Sequence, residues 1–462
     1  MSTLSIFLSL GLLMFLAYRG FSVLLLAPLM AALAVLLSGD AALLLPIYTD
    51  TFMGALSRYL MQFFPLFLLG AVFGQLMADS GAAHRIALWA ERRVGSRHAV
   101  LTVVLACGLL TYGGVSLFVV AFAIFPISQA LFRDADIPRR LIPASIALGS
   151  FTFTMTALPG TPAIQNAIPI AFFGTNSFAA PGLGVIAALI MGGGGLLWLQ
   201  SRVARARRLG EGYGEDSRAG AAIAPGSEPD ISTLQAFIPL VLVIGVNALM
   251  TYAVFPALDM GFMKARFASL DPGKSAGIWS ILIALGVAIA WLLLVQARQL
   301  KDMRSSINAG CSGALLPIFN TASEVGYGAV IASLAGFALI RDVVLNVSPG
   351  NPLISEAVAM NVLAGITGSS SGGLSIALQA LGSDYLRMAQ EAGISPELMH
   401  RVAVLAAGGM DTLPHSGAVI TLLTICGLTH RQSYGNIAMV TVALPMLALG
   451  VVIALGTAFG SF

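Results

Sequence analysis

The residues best suited to chemistry lie in two apolar stretches that proline and glycine interrupt. The first is TALPGTPAIQNAIP at 156–169, and the second is GGMDTLPHSG at 408–417. Proline removes a backbone donor and clashes with the preceding helical turn, so neither stretch favours a continuous helix. A helix that restarts after such a break presents unpaired N–H groups and the positive end of its dipole, which favour an anion. We therefore predict an anion site built from interrupted helices.

Two glycine- and hydroxyl-rich stretches accompany the breaks, TYGGVS at 111–116 and SSSGGLS at 369–375. Glycine permits close approach of the backbone to a ligand, and hydroxyls offer hydrogen bonds, although paired glycines also serve close helix packing. Thr161 before Pro162 predicts an N-cap and a first helical residue, and Ser416 predicts the corresponding N-cap. The candidate substrate-binding residues are Gly113, Gly114, Ser116, Gly160, Thr161, Gln165, Asn166, Ser370, Ser371, Gly372, Gly373, Ser375, Thr412 and Ser416.

Few charges interrupt the apolar segments, and a charge at mid-bilayer is costly enough to suggest a function. Asp411 with His415 is the first candidate for a proton-coupling site, and Glu324 is the second. By contrast, His400 falls at a predicted helix end and is expected to be solvated. A nucleophile–base pair of Ser416 with His415 is an alternative, but adjacent residues rarely face each other and no third orienting group follows.

The composition indicates a polytopic helical membrane protein. Of 462 residues, 57% are hydrophobic and 10% are charged, whereas soluble proteins carry about 25% charged residues. The net charge of +3 gives no indication of a nucleic-acid partner. Cys107, Cys311 and Cys426 stand alone, without the spacing of a metal site, so we predict neither a metal nor a cofactor.

Hydropathy predicts ten spans, at 2–18, 21–38, 51–78, 141–173, 182–199, 234–256, 276–297, 307–340, 400–428 and 435–459. Spans 141–173 and 400–428 are expected to be broken. Two further apolar stretches, 99–132 and 352–383, are predicted to be re-entrant hairpins. With both ends of the chain outside, most Lys and Arg residues lie on the cytoplasmic side, as the positive-inside rule requires. The polar stretch 200–233 is predicted to be a cytoplasmic linker.

The halves on either side of this linker repeat four motifs in the same order. PLF at 65–67 matches PIF at 317–319, GGVS at 113–116 matches GGLS at 372–375, DIPRRL at 136–141 loosely matches GISPEL at 393–398, and LPGTPAI at 158–164 matches LPHSGAV at 413–419. Five spans and one hairpin in each half, 1–199 and 234–462, would turn the second copy upside down. Inverted repeats with interrupted helices are typical of secondary transporters with a site near the bilayer midplane.

The sequence resembles the gluconate permease (GntP) family of the ion transporter superfamily, over most of the chain apart from the linker. The resemblance depends on TYGGVSLFVVAF, TALPGTPAIQNAIP, ITGSSSGG and GGMDTLPHSGAVITLLTICGLTHRQSYG. It implies inner-membrane uptake of gluconate, related sugar acids or 3-hydroxybutyrate, usually with a proton. It also implies a scaffold domain and a moving transport domain, often in a homodimer. LPHSG at 413–417 and PGTP at 159–162 depart from the gluconate permease motifs, which favours a smaller hydroxy acid.

The expected function is proton-coupled symport of a small hydroxy-monocarboxylate, and no enzymatic activity is expected. Three alternatives stay open: sodium coupling, since the tip hydroxyls and carbonyls suit that ion; export or exchange on the same fold; and a channel or membrane-embedded enzyme.

Overall fold

The computed structural model describes residues 2–19, 21–95, 98–214, 230–267, 271–300, 302–348 and 350–462. These residues form helices and connecting turns, and no strand occurs among them. Residues 215–229 of the predicted linker lie outside the described residues. In chain order the helices are α1 Ser2–Tyr18, α2 Val23–Leu37, α3 Ala41–Asp79, α4 Ala82–Val94, α5 Ala99–Tyr112, α6 Leu117–Asp134, α7 Ile142–Ser150, α8 Phe153–Thr156, α9 Ile164–Phe173, α10 Pro181–Arg208, α11 Thr233–Ala257, α12 Gly261–Arg266, α13 Pro272–Val295, α14 Met303–Ser333, α15 Phe337–Leu345, α16 Pro352–Thr367, α17 Ser370–Glu391, α18 Pro396–Met410, α19 Gly417–Cys426 and α20 His430–Phe459.

Several of these helices are long and apolar enough to cross a membrane. Among the described residues α3, α10, α11, α13 and α20 meet both conditions, and the bent pair α14–α15 forms a sixth candidate. A crossing helix needs about 20 apolar residues. The chain is therefore a multi-pass helical membrane protein, as its composition predicts.

The interrupted stretches are discontinuous, as their prolines and glycines predict. No α-helix covers residues 157–163, which we call break 1, or residues 411–416, which we call break 2. The helices that follow, α9 and α19, both end on a glycine in the left-handed region, Gly174 with φ 67° and Gly427 with φ 61°. Such a C-cap favours glycine because it has no Cβ atom.

Two predicted boundaries are wrong, and one helix was not predicted. The span predicted at 307–340 ends at Ser333, and the chain then turns by 98° into α15. Helix α3 begins ten residues before the predicted 51, through a short 3-10 segment and a π segment at Ile47–Phe52. An additional helix, α4, lies between predicted spans and buries one alanine-rich face that includes Ala83, Ala87 and Ala90.

Helix order and helix contacts run in parallel in the two halves. Each half contains a long helix, a short helix, a helical hairpin, an interrupted helix and a final long helix, preceded by α1 and α2 in the first half and by α11, the short α12 and α13 in the second. The long helices α3 and α14 pack against each other, and so do the final helices α10 and α20. Helix α2 contacts α14, while its counterpart α13 contacts α3. The packing between the halves is thus reciprocal.

An ion pair fastens the end of α10 to the loop between α6 and α7. The Arg140 guanidinium donates to both Glu211 carboxylate oxygens, at 2.6 and 2.7 Å. These hydrogen bonds hold the pKa of Glu211 below its usual value. The backbone of Tyr213 adds a bond to Asp136 Oδ1 at 2.9 Å. The first residues of the predicted linker, up to 214, are therefore docked on the helical body.

Candidate functional site

The tip of the first hairpin touches break 1. Residues 113–116, which we call tip 1, connect α5 to α6 through Gly114 at φ 100°. The Tyr112 hydroxyl donates to the Pro159 carbonyl at 2.7 Å. A Cβ atom on Gly114 would lie 3.0 Å from Pro162 Cγ. Glycine is needed here both for its backbone angle and for this close approach.

A cavity of about 200 Å³ opens between tip 1 and break 1. On the side of tip 1 and break 1, the cavity is lined by residues that include Thr111, Ser116, Pro162, Ala163 and Gln165. Helices α3 and α14 form the opposite wall. None of the described residues that line it is charged. The buried Thr111 hydroxyl has no hydrogen-bond partner among the described residues.

Two helix N-termini meet at this cavity, those of α6 and α9. Ser116 is the N-cap of α6 and Ala163 is the N-cap of α9, and neither side chain caps its helix. The first N–H groups of a helix have no acceptor within it, and the helix dipole is positive there. The cavity therefore offers backbone donors and partial positive charge to an anion.

The predicted restart of the helix at Thr161–Pro162 is wrong by two residues. Helix α9 begins at Ile164. Thr161 is fully buried, its carbonyl accepts from the Asn166 amide at 3.0 Å, and its hydroxyl accepts from Ala163 N–H at 3.4 Å. Ala163 is extended (ψ 140°), so the helix begins only at the next residue.

A polar connection leads from the cavity to the second hairpin. Gln165 Nε2 donates to Ser370 Oγ at 3.0 Å. The Asp411 carboxyl group lies beside the Ser370 hydroxyl and backbone. Asp411 is 8% exposed, and its Oδ1 atom has no partner among the described residues. One serine thus separates a cavity-lining amide from a buried carboxyl group.

The second hairpin tip, residues 368–372 and hereafter tip 2, also faces Glu324. A Cβ atom on Gly372 would lie 1.8 Å from Glu324 Oε2, so any other residue at this position would displace the carboxyl group. The Tyr59 hydroxyl lies close to both Ser375 and Glu324. The Tyr59 hydroxyl, the Ser375 hydroxyl and Glu324 Oε2 are all buried and have no hydrogen-bond partner among the described residues. Tip 2 therefore lies between Asp411 on one side and Glu324 on the other.

Break 2 closes against the same tip. Ser416 is the N-cap of α19, as predicted, but its hydroxyl donates to the Gly368 carbonyl at 3.0 Å instead of capping the helix. His415 packs against Gly368, with Cδ2 3.2 Å from where a Cβ would stand. His415 Nε2 and Asp411 Oδ1 are both without partners among the described residues, so the two candidate proton carriers do not bond each other through these atoms.

Five other candidate substrate residues are not among the described residues that line the cavity. Gly113 faces Leu240, and Gly373 packs against the backbone of Ala364 within its own hairpin. Gly160, at φ 82°, binds the loop after α9 through Ser177 O at 2.9 Å. Thr412 donates to Thr441 Oγ1 at 2.7 Å. Ser371 lies 3.4 Å from the Ser369 hydroxyl within tip 2.

His400 is buried, which corrects the expectation that it is solvated. It is 0% exposed, and its ring joins Thr175 Oγ1 at 2.6 Å to Asn166 Oδ1 at 3.2 Å. Since Asn166 Nδ2 also donates to the Thr161 and Ser177 carbonyls, the Asn166 amide is fully engaged. His400 and Asn166 therefore link the two interrupted helices.

Arg401 is a second buried group that the sequence does not reveal. It is 0% exposed and donates to the Ala179 carbonyl at 3.1 and 2.7 Å and to the Thr156 carbonyl at 2.9 Å. Thr156 ends α8, so its carbonyl belongs to the negative end of that helix. Arg401 thus braces break 1 from the second half of the chain.

Comparison with known proteins places the chain in a family of transporters. The model of the GntP family permeases matches residues 1–336. The chain is 46% identical over 454 residues, 96% of both proteins, to the uncharacterized transporter YxjC of Bacillus subtilis (strain 168). It is also 37% identical over 103 residues, 22% of this chain and 23% of the relative, to the high-affinity gluconate transporter of Escherichia coli (strain K12).

A solved structure shares the fold. MtrF of Neisseria gonorrhoeae, described as illuminating a class of antimetabolite efflux pumps, superposes with a TM-score of 0.55 over 91% of this chain and 85% of that one, at 14% identity. At this identity the likeness concerns the fold alone. Family model and full-length relative agree: the chain belongs to the GntP permease family and is a transporter, not an enzyme.

Proposed function

We propose that the protein is a proton-coupled symporter of a small hydroxy-monocarboxylate, such as a gluconate-like sugar acid or 3-hydroxybutyrate, in the inner membrane. The observation that carries the proposal is the uncharged cavity at two uncapped helix N-termini, joined through Gln165 and Ser370 to Asp411. Substrate and proton would then bind at opposite ends of one short chain of polar groups.

The lining of the cavity supports a monocarboxylate with hydroxyl groups. Two helix N-termini together supply about one elementary charge, which suits one carboxylate better than two or three. Thr111 and Ser116 supply hydroxyls for the hydroxyl groups of the substrate. The gluconate transporter among the relatives supports an organic anion of this class.

The position of Asp411 supports proton coupling. A buried carboxyl group without a cationic partner is stable when neutral, so its ionisation must be linked to a change in its surroundings. Asp411 lies beside Ser370, and Glu324 lies beside Gly372. Movement of tip 2 would change the surroundings of both carboxyl groups, which links proton release to substrate movement.

The reciprocal packing supports two inverted repeats with re-entrant hairpins. Helix α5 has 14 residues, or about 21 Å, and α16 has 16, or about 24 Å, which is short for a 30 Å hydrocarbon core. We assign α3 and α14, with the helices around them, to a scaffold, and both hairpins and both interrupted helices to a moving transport domain. In a homodimer held together through the scaffolds, each scaffold would stay in place while its transport domain moves.

Uptake by purified protein in proteoliposomes tests the proposal. A panel of labelled mono-, di- and tricarboxylates is offered while proton and sodium gradients are imposed separately. We expect accumulation of a hydroxy-monocarboxylate under a proton gradient, and counterflow of the same substrate without any gradient. Accumulation under the sodium gradient alone would indicate sodium coupling in place of proton coupling. Transport without counterflow would indicate a channel.

The Asp411→Asn variant tests the coupling residue. It should abolish accumulation driven by a pH gradient and leave exchange intact, because asparagine keeps the volume but carries no exchangeable proton. Asp79→Asn, at an exposed helix end, is the matched control. Normal accumulation by Asp411→Asn would contradict the assignment.

A further inference from the structure

Glu356 is a buried acid that neither the substrate cavity nor the tip carboxyl groups account for. It lies on α16, the first helix of the second hairpin, and is 0% exposed. Neither of its carboxylate oxygens has a hydrogen-bond partner among the described residues. Buried polar groups are nearly always hydrogen-bonded, so an acid with two free oxygens calls for an explanation.

The groups that could pair with Glu356 are engaged elsewhere. Tyr385, on α17, is the ionisable side chain beside it, but the Tyr385 hydroxyl donates to the Ser355 carbonyl at 3.2 Å. On the same helix, Asp384 accepts two bonds from Arg341 of α15, at 2.8 and 2.6 Å, and Arg387 also lies 3.7 Å from Asp384.

The charged groups on the other neighbouring helices are also committed or distant. On α18, His400 bonds Asn166 and Thr175, and Arg401 bonds two backbone carbonyls. Glu397 of α18 and Asp342 of α15 are acids themselves and cannot neutralise a second carboxylate. No cation among the described residues therefore pairs with Glu356.

The location of Glu356 separates it from the substrate. Gly368, the C-cap of α16, lies twelve positions after Glu356, which corresponds to about 18 Å along a helix. It is not among the residues that line the cavity. It does belong to the same hairpin as tip 2, so whatever moves tip 2 as a body also moves Glu356.

We propose that Glu356 is a further proton-binding site, separate from Asp411 and Glu324, occupied in the conformation described here and emptied when the hairpin reaches the other side. The step is a simple dissociation: the carboxylic O–H bond breaks, the electron pair stays on the carboxylate, and the proton passes to water. This inference rests on the proposed function, since it takes the second hairpin to be part of the moving domain. It predicts one more transported proton per substrate than the carboxyl groups at tip 2, Asp411 and Glu324, supply.

Proton stoichiometry tests the proposal. Substrate uptake and internal acidification are measured in parallel in proteoliposomes for wild type, Glu356→Gln and Glu356→Asp. We expect Glu356→Gln to lower the ratio of protons to substrate by one, with substrate affinity and exchange within about twofold of wild type, since its site is remote from the cavity. Glu356→Asp retains an acid and should keep the wild-type ratio. A wild-type ratio in Glu356→Gln would overturn the proposal.

Infrared spectroscopy distinguishes this inference from the proposed function. The carbonyl absorption of protonated carboxyl groups is recorded in purified wild type and Glu356→Gln as pH is varied, with no substrate present. We expect wild type to show a band that disappears reversibly as pH rises and that Glu356→Gln lacks. If no hydroxy acid is transported but this band is found, the proposed substrate is wrong and the proton site stands. If wild type and Glu356→Gln have identical bands, Glu356 binds no proton, whatever the substrate.

Discussion

Replacing Gln165 with glutamate places a negative charge at the wall of the cavity without changing its shape. Gln165 is 7% exposed, lines the cavity and donates to Ser370. If the cavity binds a carboxylate, the new charge must repel it. The Gln165→Glu variant should therefore lose affinity for the substrate when the introduced side chain is ionised.

The size of the effect follows from the size of the cavity. A volume of about 200 Å³ corresponds to a sphere about 7 Å across, so a bound carboxylate would lie roughly 5–7 Å from the introduced charge. With an effective dielectric constant of about 20, the repulsion is about 2.4–3.3 kcal/mol, or roughly a 60- to 270-fold loss of affinity. Gln165→Met, which loses the bond to Ser370 without adding charge, should cost about 1 kcal/mol, or roughly fivefold.

The assay is equilibrium binding of the labelled substrate to detergent-purified protein, together with thermal unfolding to show that each variant is folded. Affinity of Gln165→Glu should recover as the pH is lowered and the introduced carboxylate becomes protonated, while Gln165→Met shows no such recovery. Equal affinity of Gln165→Glu and wild type at neutral pH would refute the placement of the anion in this cavity.

Three further substitutions test other contacts. Thr111→Val removes the hydroxyl at the cavity that has no partner among the described residues, and it should weaken substrate binding by about 1 kcal/mol, roughly fivefold. The control is Thr412→Val, which should leave binding unchanged because the Thr412 hydroxyl bonds Thr441. Equal effects of the two variants in a binding assay would contradict this distinction. Gly372→Ala should stop exchange in proteoliposomes because the methyl group would meet Glu324 Oε2. Adding Glu324→Ala should restore exchange but not proton-driven accumulation. Normal exchange by Gly372→Ala alone would contradict the close contact between Gly372 and Glu324. Arg401→Met leaves two buried carbonyls without their donors and should cost at least about 3 kcal/mol, seen as a lower Tm and poor expression, and a wild-type Tm would contradict the bracing role.

Features set by local sequence could be predicted. Pro159 and Gly160 interrupt a helix in any surroundings, and the glycines of TYGGVS and SSSGG end or begin helices because of backbone geometry. The positions of the breaks and hairpins follow directly from these residues. The restart at Ile164 does not, because Ala163 is extended and serves as the N-cap in place of Thr161.

Features set by distant partners could not be predicted. His400 and Arg401 stand at the start of an apolar segment, where charged residues are usually solvated. Their partners, Asn166, Thr156 and Ala179, lie more than 200 positions away in the chain. Glu356 is similar, because it stands only five positions after the polar stretch SPGN at 348–351, near a helix start where an acid is usually exposed. Its burial depends on how α17 and α18 cover it.

The single hydroxyl of Ser370 has only one hydrogen to give. Since the Gln165 amide donates to its oxygen, that hydrogen is free to point toward the neighbouring Asp411 carboxyl group. A neutral Asp411 brings a hydrogen of its own and competes for the same oxygen, so protonation would reverse the direction of donation along this row. The hydrogen bonding of Gln165 at the cavity wall would then depend on the protonation state of Asp411, although the two side chains are separated by Ser370. This coupling is reciprocal. A substrate that repositions Gln165 would change the free energy of proton binding to Asp411 by the same amount.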